Sequence, residues 1–361
     1  MTFDGDARIE RLLARHPDVR MVASGALVRA DQLLVADGDL ERAGGLLRAW
    51  STGAEPGPGV TRVRLDPARR VDVCELAALA RARGLTAGPN HLVHTQPMWW
   101  TGPAERPRPA RPSRLPPPGP TRRDVTVAVL DTGLDPHPWY EKSDWFAAQR
   151  DTVGEVLDAD LDHDLDGQAG HGTFVAGVVL RHAPSARITA RRVAGGDGVG
   201  DELAVVRALD GLTADIVNLS LGCHTYDDRP SPVLQRAIAG LGRGTVVTAC
   251  AGNTATDRPF WPAALKQVLA VGALDGMERA YFSNYGWWVD ACAQGVAVES
   301  SFVRFAGFEG YAAWSGTSFA APAVAGMIAA HVASGTSPAD AADLVMASGP
   351  TRPDLGTIIR T

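Results

Sequence analysis

The stretch V-T-V-A-V-L-D-T-G, residues 125–133, is a nearly continuous apolar run that ends on an acid and a glycine turn. Such a run reads as a strand buried on both faces of a parallel sheet, because a half-exposed strand would alternate apolar and polar residues. Two further runs share the pattern, A-D-I-V-N-L-S-L at 214–221 and T-V-V-T-A-C-A at 245–251, with helical stretches between. An open α/β sheet follows, and in such sheets ligands bind beyond the carboxyl ends of the strands. Asp131, Ser220 to Gly222 and Asn253 all fall at those ends.

The residues there suit one chemistry. An alcohol is a poor nucleophile at neutral pH, so it needs an imidazole to take its proton and a carboxylate to hold that imidazole. His171 lies in G-H-G-T-F-V-A-G-V-V-L, 170–180, where small residues let a helix approach the sheet closely with the histidine in its first turn. Ser318 lies in S-G-T-S-F-A-A-P, 315–322, at the start of an apolar helix whose Pro322 is expected in the first turn. A serine there sits at the positive end of the helix dipole beside free N–H groups, although helix capping alone would explain it. Asn253, after T-A-C-A-G, offers a side-chain amide to a developing oxyanion. D-T-G also occurs in aspartic proteases, but those need two such carboxylates sharing a proton, and this chain has one D-T-G. His137, His163, His182, His224 and His331 read as core or solvated residues.

Six segments, V-A-V-L-D-T-G, G-H-G-T-F-V-A-G, V-N-L-S-L-G, A-G-N, F-S-N-Y-G-W-W-V-D-A-C-A-Q-G and S-G-T-S-F-A-A-P, run in one order from 124 to about 348. In that order they resemble the subtilisin-type (subtilase, peptidase S8) serine peptidases. The resemblance implies a three-layer α/β fold with a mostly parallel central sheet. It also implies an endopeptidase with an acyl-enzyme intermediate, with Ser318 as nucleophile, His171 as base and then acid, and Asp131 orienting His171. Asn253 and the Ser318 N–H would form the oxyanion hole. The backbone of Ser220, Leu221 and Gly222 would pair with an extended substrate, and Ala251, Gly252 and Phe260 would line the primary pocket. In D-R-P-F-W-P, 257–262, Phe260 stands where the family often has a small pocket-floor residue, which favours small side chains before the cut. A silent peptide-binding pseudo-protease and a peptide ligase or cyclase are the alternatives on the same fold.

Residues 102–120 hold eight prolines and four arginines in nineteen positions. They read as an extended linker that would reach roughly 60 Å at ~3.1 Å per residue, dividing an N-terminal domain, 1–101, from the peptidase domain, 121–361. Strands are expected at A-L-V (26–28), Q-L-L-V-A (32–36), V-T-R-V-R-L (60–65) and H-L-V-H-T (91–95). Helices are expected at 40–50 and 73–84, the second stopped by Gly84. This small α+β, ferredoxin-like unit resembles a subtilase propeptide, which chaperones and inhibits its enzyme. P-N-H-L-V-H-T-Q, 89–96, resembles its last strand. Pro97 then falls just beyond the family's cut, which disfavours self-cleavage there and shifts it toward Trp99–Gly102 or the linker, or leaves the chain intact.

A net charge of −6 over 361 residues gives no basic surface for nucleic acid. No run approaches the ~20 apolar residues of a membrane helix, and no signal peptide is evident at residue 1. Cys74, Cys223, Cys250 and Cys292 lack metal or disulfide spacing and suit a reducing compartment. A cytoplasmic peptidase acting on proteins or peptides, with its N-terminal domain as an intramolecular partner, is the expectation. The chemistry requires no cofactor. D-x-D-x-D-G at 162–167 opens like a calcium loop, but its twelfth position is Thr173, so a solvated acidic loop is expected, with structural calcium possible elsewhere in the family manner. Cys250 reads as a small core residue.

Overall fold

The computed structural model describes residues 5–95 and 106–360. Pro97 and Trp99–Gly102 lie outside them. The centre is a nine-stranded sheet ordered 351–352, 356–358, 291–294, 268–275, 246–250, 216–219, 126–131 and 187–192, with 278–279 pairing on 268–275. Its main ladder is parallel, and only the pairs made by 278–279 and 351–352 are antiparallel. The strand Thr126–Asp131 lies between 187–192 and 216–219. Chain direction across the sheet therefore reverses at Asp131, which makes its carboxyl end the switch point where a cleft opens.

Two helices bring the other motifs to that edge. His171–His182 crosses Thr317–Ala333 closely, because a Cβ on Gly326 would lie 2.7 Å from the Val179 carbonyl. Thr317–Ala333 is apolar around its whole circumference, as a helix enclosed by sheet and helices must be. The G-H-G motif is a contact requirement too. A Cβ on Gly172 would lie 2.2 Å from the Gly133 carbonyl, so the helix meets the Asp131 turn backbone to backbone.

The N-terminal residues form an antiparallel sheet ordered 51–57, 60–65, 27–36 and 87–94, with 19–21 beside 27–36. The stretches A-L-V and Q-L-L-V-A are parts of one ten-residue strand, Leu27–Ala36. Helix Val73–Ala82 is capped by Asp72 and ends before Gly84 at φ +71°, the left-handed stop expected there. Strand Ser51–Gly57 escapes a propensity reading because S-T-G-A-E-P-G lacks strand formers, and its pairing with Val60–Leu65 is set by the intervening turn. Cluster Val28, Leu33, Val35, Leu47, Val63 and Leu76 forms an apolar core separate from that of the large sheet.

The Pro-rich stretch does not bridge a gap where it is described. Arg108–Pro109 adds an antiparallel edge to Tyr311–Trp314, and the Ala110 N–H donates to the Tyr311 carbonyl at 3.1 Å. Proline suits such an edge because only one side of the strand needs donors. The Ser113 carbonyl accepts from Trp139 Nε1 at 2.9 Å.

Candidate active site

Asp131 and His171 meet at the end of the strand Thr126–Asp131. His171 Nδ1 lies 2.7 Å from Asp131 Oδ1, and both side chains are 1% exposed. The same carboxylate oxygen accepts from the Thr132 N–H at 2.8 Å, so it is held from two sides. His171 Nε2 has no hydrogen-bond partner among the described residues. The imidazole is walled by Trp314 and Phe319, each with its ring centroid 5.4 Å away.

Ser318 is buried in the first turn of its helix, and its Oγ donates to the carbonyls of Thr95 and Ser220, each at 3.3 Å, rather than to His171. Pro322 is the sixth residue of the helix, not a first-turn residue. Lacking an N–H, it leaves the Ser318 carbonyl without its usual i+4 donor. Ser220 Oγ fills that role at 2.7 Å and itself accepts from Asn218 Nδ2 at 2.9 Å.

Asn253 Oδ1 accepts from the Thr317 N–H at 2.8 Å and from Thr317 Oγ1 at 2.9 Å. Because both neighbours are donors there, the oxygen is fixed and the amide Nδ2 is left for the cleft. The Ser318 N–H takes no acceptor among the described residues either. Sequence reasoning missed Thr317, Thr132 and Asn218, all hydroxyl or amide residues beside recognised motif positions.

The cleft itself is lined by His94, Thr95, Cys250, Gly252, Asn253, Thr254 and Phe260. Phe260 is 3% exposed and fills the space between two glycines. A Cβ on Gly222 would meet its ring at 2.4 Å, and one on Gly252 at 3.1 Å. Leu221 is a core side chain, and the Ala251 carbonyl is engaged by Asn284 Nδ2 at 2.8 Å, leaving Cys250 as the wall at that level. Burial pushes the Cys250 thiol up to about 12, so it stays un-ionised.

A strand of the chain's own N-terminal sheet runs into this cleft. The His94 N–H donates to the Gly222 carbonyl at 2.9 Å, and the Gly222 N–H returns a bond to the His94 carbonyl at 3.1 Å. On the other side, Leu92–His94 pairs with Val199–Asp201, and the Thr95 N–H donates to the Gly198 carbonyl at 3.1 Å.

The acidic run does not adopt the frame its spacing suggested. Carboxylates of Asp158, Asp160 and Asp162 gather within 4.8 Å, while Asp166 turns inward to accept from the Ala159 N–H at 2.9 Å. Arg15 of the N-terminal helix pairs with Asp160. Thr173, the twelfth position of that frame, points instead to Glu155, with both its N–H and hydroxyl donating at 3.0 Å.

Known proteins resemble this chain in sequence and fold. The subtilase family model matches residues 122–355. A thermophilic serine proteinase from Bacillus sp. (strain AK1) is 37% identical over 224 residues, covering 56% of this chain and 51% of its own. Subtilisin BL from Lederbergia lenta is 35% identical over 225 residues, covering 58% and 77%. The chain thus spans about half the length of the first relative and three quarters of the second. The crystal structure of a cold adapted subtilisin-like serine proteinase aligns with a TM-score of 0.51 at 26% identity, covering 69% of this chain and 94% of the other.

These relatives correct the expected cytoplasmic location. They are subtilisins and serine proteinases, and another, from Bacillus subtilis (strain 168), is named a minor extracellular protease, which points outside the cell. The expectation rested on the lack of a signal-peptide or membrane-span pattern and on the cysteines, and thiol count says little when every thiol is shielded. All four are free and buried, and burial raises Cys74 to about 11 and Cys292 to about 12, leaving little thiolate to oxidise. Among the described residues, no helix is long and apolar enough to cross a membrane. With the family model covering most of the chain and the fold of a solved relative beneath it, this protein belongs to the subtilase family.

Proposed function

We propose that this chain is a serine endopeptidase whose cleft is filled by its own N-terminal strand. The observation that carries the reading is the position of Thr95, whose carbonyl lies 3.3 Å from Ser318 Oγ at the end of a strand paired on both sides of the cleft. An extended peptide would add to the same two edges, with backbone bonds giving affinity and pockets giving selectivity. Ser318 attacks the carbonyl, His171 takes the proton and returns it to the leaving amine, and Asp131 holds the imidazole tautomer. Asn253 Nδ2 and the Ser318 N–H receive the oxyanion. Loss of such a side-chain donor lowers turnover by about 10²–10³, a magnitude known from subtilisin itself.

Phe260, closing the pocket between Gly222 and Gly252, supports selection of a small residue before the cut. Residues 1–101 act as the intramolecular inhibitor, followed by the Pro-rich segment and the peptidase domain at 121–361. A fluorophosphonate probe offered to the full chain, with casein hydrolysis measured in parallel, tests the reading. Labelling and hydrolysis that vanish in Ser318→Ala support it. Hydrolysis that survives Ser318→Ala, or a wild-type chain inert to probe and casein after limited trimming of its N-terminal sheet, overturns it.

A further inference from the structure

The helix that carries His171 has no cap of its own. Gly170 at its N-cap offers no side chain, yet the N–H groups of the first three helical residues, His171, Gly172 and Thr173, are all satisfied from outside the helix ladder, which begins with the Phe174 N–H on the Gly170 carbonyl at 2.9 Å. The His171 N–H donates to the Gln168 carbonyl at 3.0 Å. Side chains from the segment after the Asp131 strand take the other two. The Gly172 N–H donates to Thr132 Oγ1 at 2.9 Å, and the Thr173 N–H to Glu155 Oε1 at 3.0 Å.

Glu155 belongs to a closed ring. The Thr173 hydroxyl donates to Glu155 Oε1 at 3.0 Å and accepts from the Asp135 N–H at 2.9 Å, while the Glu155 N–H donates to Asp135 Oδ1 at 3.2 Å. Backbone contact locks the ring to the strand turn, because the Leu134 N–H donates to the Val153 carbonyl at 2.8 Å. The His171 helix and the Asp131 turn are thereby tied through one carboxyl group. Nothing in the established triad logic uses it.

We propose that Glu155 is a positioning residue for His171, holding the first turn of its helix through Thr173 so that the imidazole stays on Asp131 Oδ1. The carboxyl does this with its proton on. Its second oxygen is buried without a partner among the described residues, as is Asp131 Oδ2, and Glu155 makes no ion pair among them. The ionisable groups facing it are Asp131 and Asp135, with the buried Tyr140 phenol behind and the Arg192 guanidinium one residue away, spent on the Gly154 carbonyl at 3.0 Å. Burial pushes the Glu155 carboxyl up to about 7, and the charges of Asp131 and Asp135 push the same way against the bonds from Thr173 and Thr132. With its proton on, Glu155 adds no further negative charge beside Asp131 and Asp135.

The kinetic consequence rests on the peptidase reading, whereas the structural one does not, and the experiment separates them. In full-length chain carrying Ser318→Ala, infrared difference spectra against Ser318→Ala/Glu155→Gln should show an un-ionised carboxylic acid band that fades as pH rises through about 7. The low-field ring proton of His171 should keep its position in Glu155→Gln, which retains the acceptor oxygen, and move or broaden in Glu155→Ala. With Ser318 intact, Glu155→Ala should lose about 10²-fold in kcat with KM within about twofold, and Glu155→Gln should stay within about threefold of wild type. Absence of the acid band, an unmoved His171 proton in Glu155→Ala, or equal losses in the Ala and Gln variants each overturns the proposal. Should Glu155→Ala fail to fold, the Gln variant decides: a band lost with the ring proton in place supports the role, and a displaced ring proton overturns it. A wild-type chain without Ser318-dependent hydrolysis sinks the peptidase reading and leaves the infrared and ring-proton results to judge Glu155.

Discussion

The hydroxyl of Ser220 donates to the backbone carbonyl of Ser318 at 2.7 Å across 98 positions of sequence. The bond exists because Pro322 cannot donate to that carbonyl. Ser220→Ala should therefore leave a buried acceptor unsatisfied and lower stability by about 1–3 kcal/mol in urea denaturation. Pro322→Ala restores a main-chain donor, so the same substitution made in that background should cost less, a coupling that a double-mutant cycle detects. Equal losses in both backgrounds would break the link.

Gly172 and Gly44 make a matched pair of helix glycines. A Cβ at Gly172 meets backbone at 2.2 Å, whereas nothing lies within 4 Å of one at Gly44. Gly172→Ala should separate the His171 helix from the Asp131 turn and cut kcat by about 10²-fold. Gly44→Ala should instead raise stability by about 0.5–1 kcal/mol with turnover unchanged. Thermal melts and initial rates on the two variants check both signs.

Phe260 should decide which residue precedes the cut. Phe260→Ala opens the space between Gly222 and Gly252, and hydrolysis of Phe-containing relative to Ala-containing peptides should rise by about tenfold or more. The variant should also lose about 3–5 kcal/mol of stability as the core closest to the cleft empties. A wild-type preference for Phe in a paired Ala and Phe library contradicts the assignment.

His137 should make the fold acid-sensitive. Its Nδ1 accepts from the Trp139 N–H at 3.2 Å, which leaves Nε2 to donate to the Gly310 carbonyl at 2.9 Å, so the neutral ring satisfies both contacts and the protonated ring does not. Burial lowers its pKa to about 4 from an ordinary 6.5. A depressed folded value means the contribution is complete above 6.5 and is lost as pH falls toward 4. His137→Gln should flatten that loss, read as unfolding midpoints from pH 7 to pH 4.

His91 and Glu202 form a fully buried pair, Nδ1 to Oε1 at 3.2 Å, between the N-terminal strand Ala87–His94 and the helix Glu202–Leu209. Glu202→Ala strips the partner from a histidine enclosed on all sides and should lower stability by about 3–5 kcal/mol. Trypsin should then cut the N-terminal sheet faster than in wild type. Unchanged cutting and melting would place the pair outside the seam's energetics.

The parallel sheet and the positions of Asp131, His171, Ser318 and Asn253 were legible because each rests on local signals, apolar runs for strands and small residues for close helix approach. Contacts between distant side chains were not. Glu155 lies in an unremarkable loop, G-E-V, and acquires meaning only when Thr173 is folded onto it. Pro322 was expected one turn early because proline favours the first turn, and here a distant hydroxyl compensates for an interior one. The acidic loop carried a spacing that matched a cation frame, but Asp166 is used inside by Ala159 and drops out of it. Location was misread because the reading leaned on the lack of a visible signal-peptide or membrane-span pattern, which does not fix a compartment, and on thiols that, being buried, report on packing.

The strand Ala87–His94, which leads into Thr95, has a consequence for any measurement made on the intact chain. On the proposed peptidase reading, a segment joined to its own binding edge competes at an effective concentration on the order of millimolar, so a peptide that binds the open cleft at micromolar would look far weaker. Apparent affinity then measures the release of His94 from Gly222 as much as the fit of the incoming peptide. Substitutions far from the cleft, along the seam with Glu202–Leu209, would shift apparent KM without touching a substrate atom.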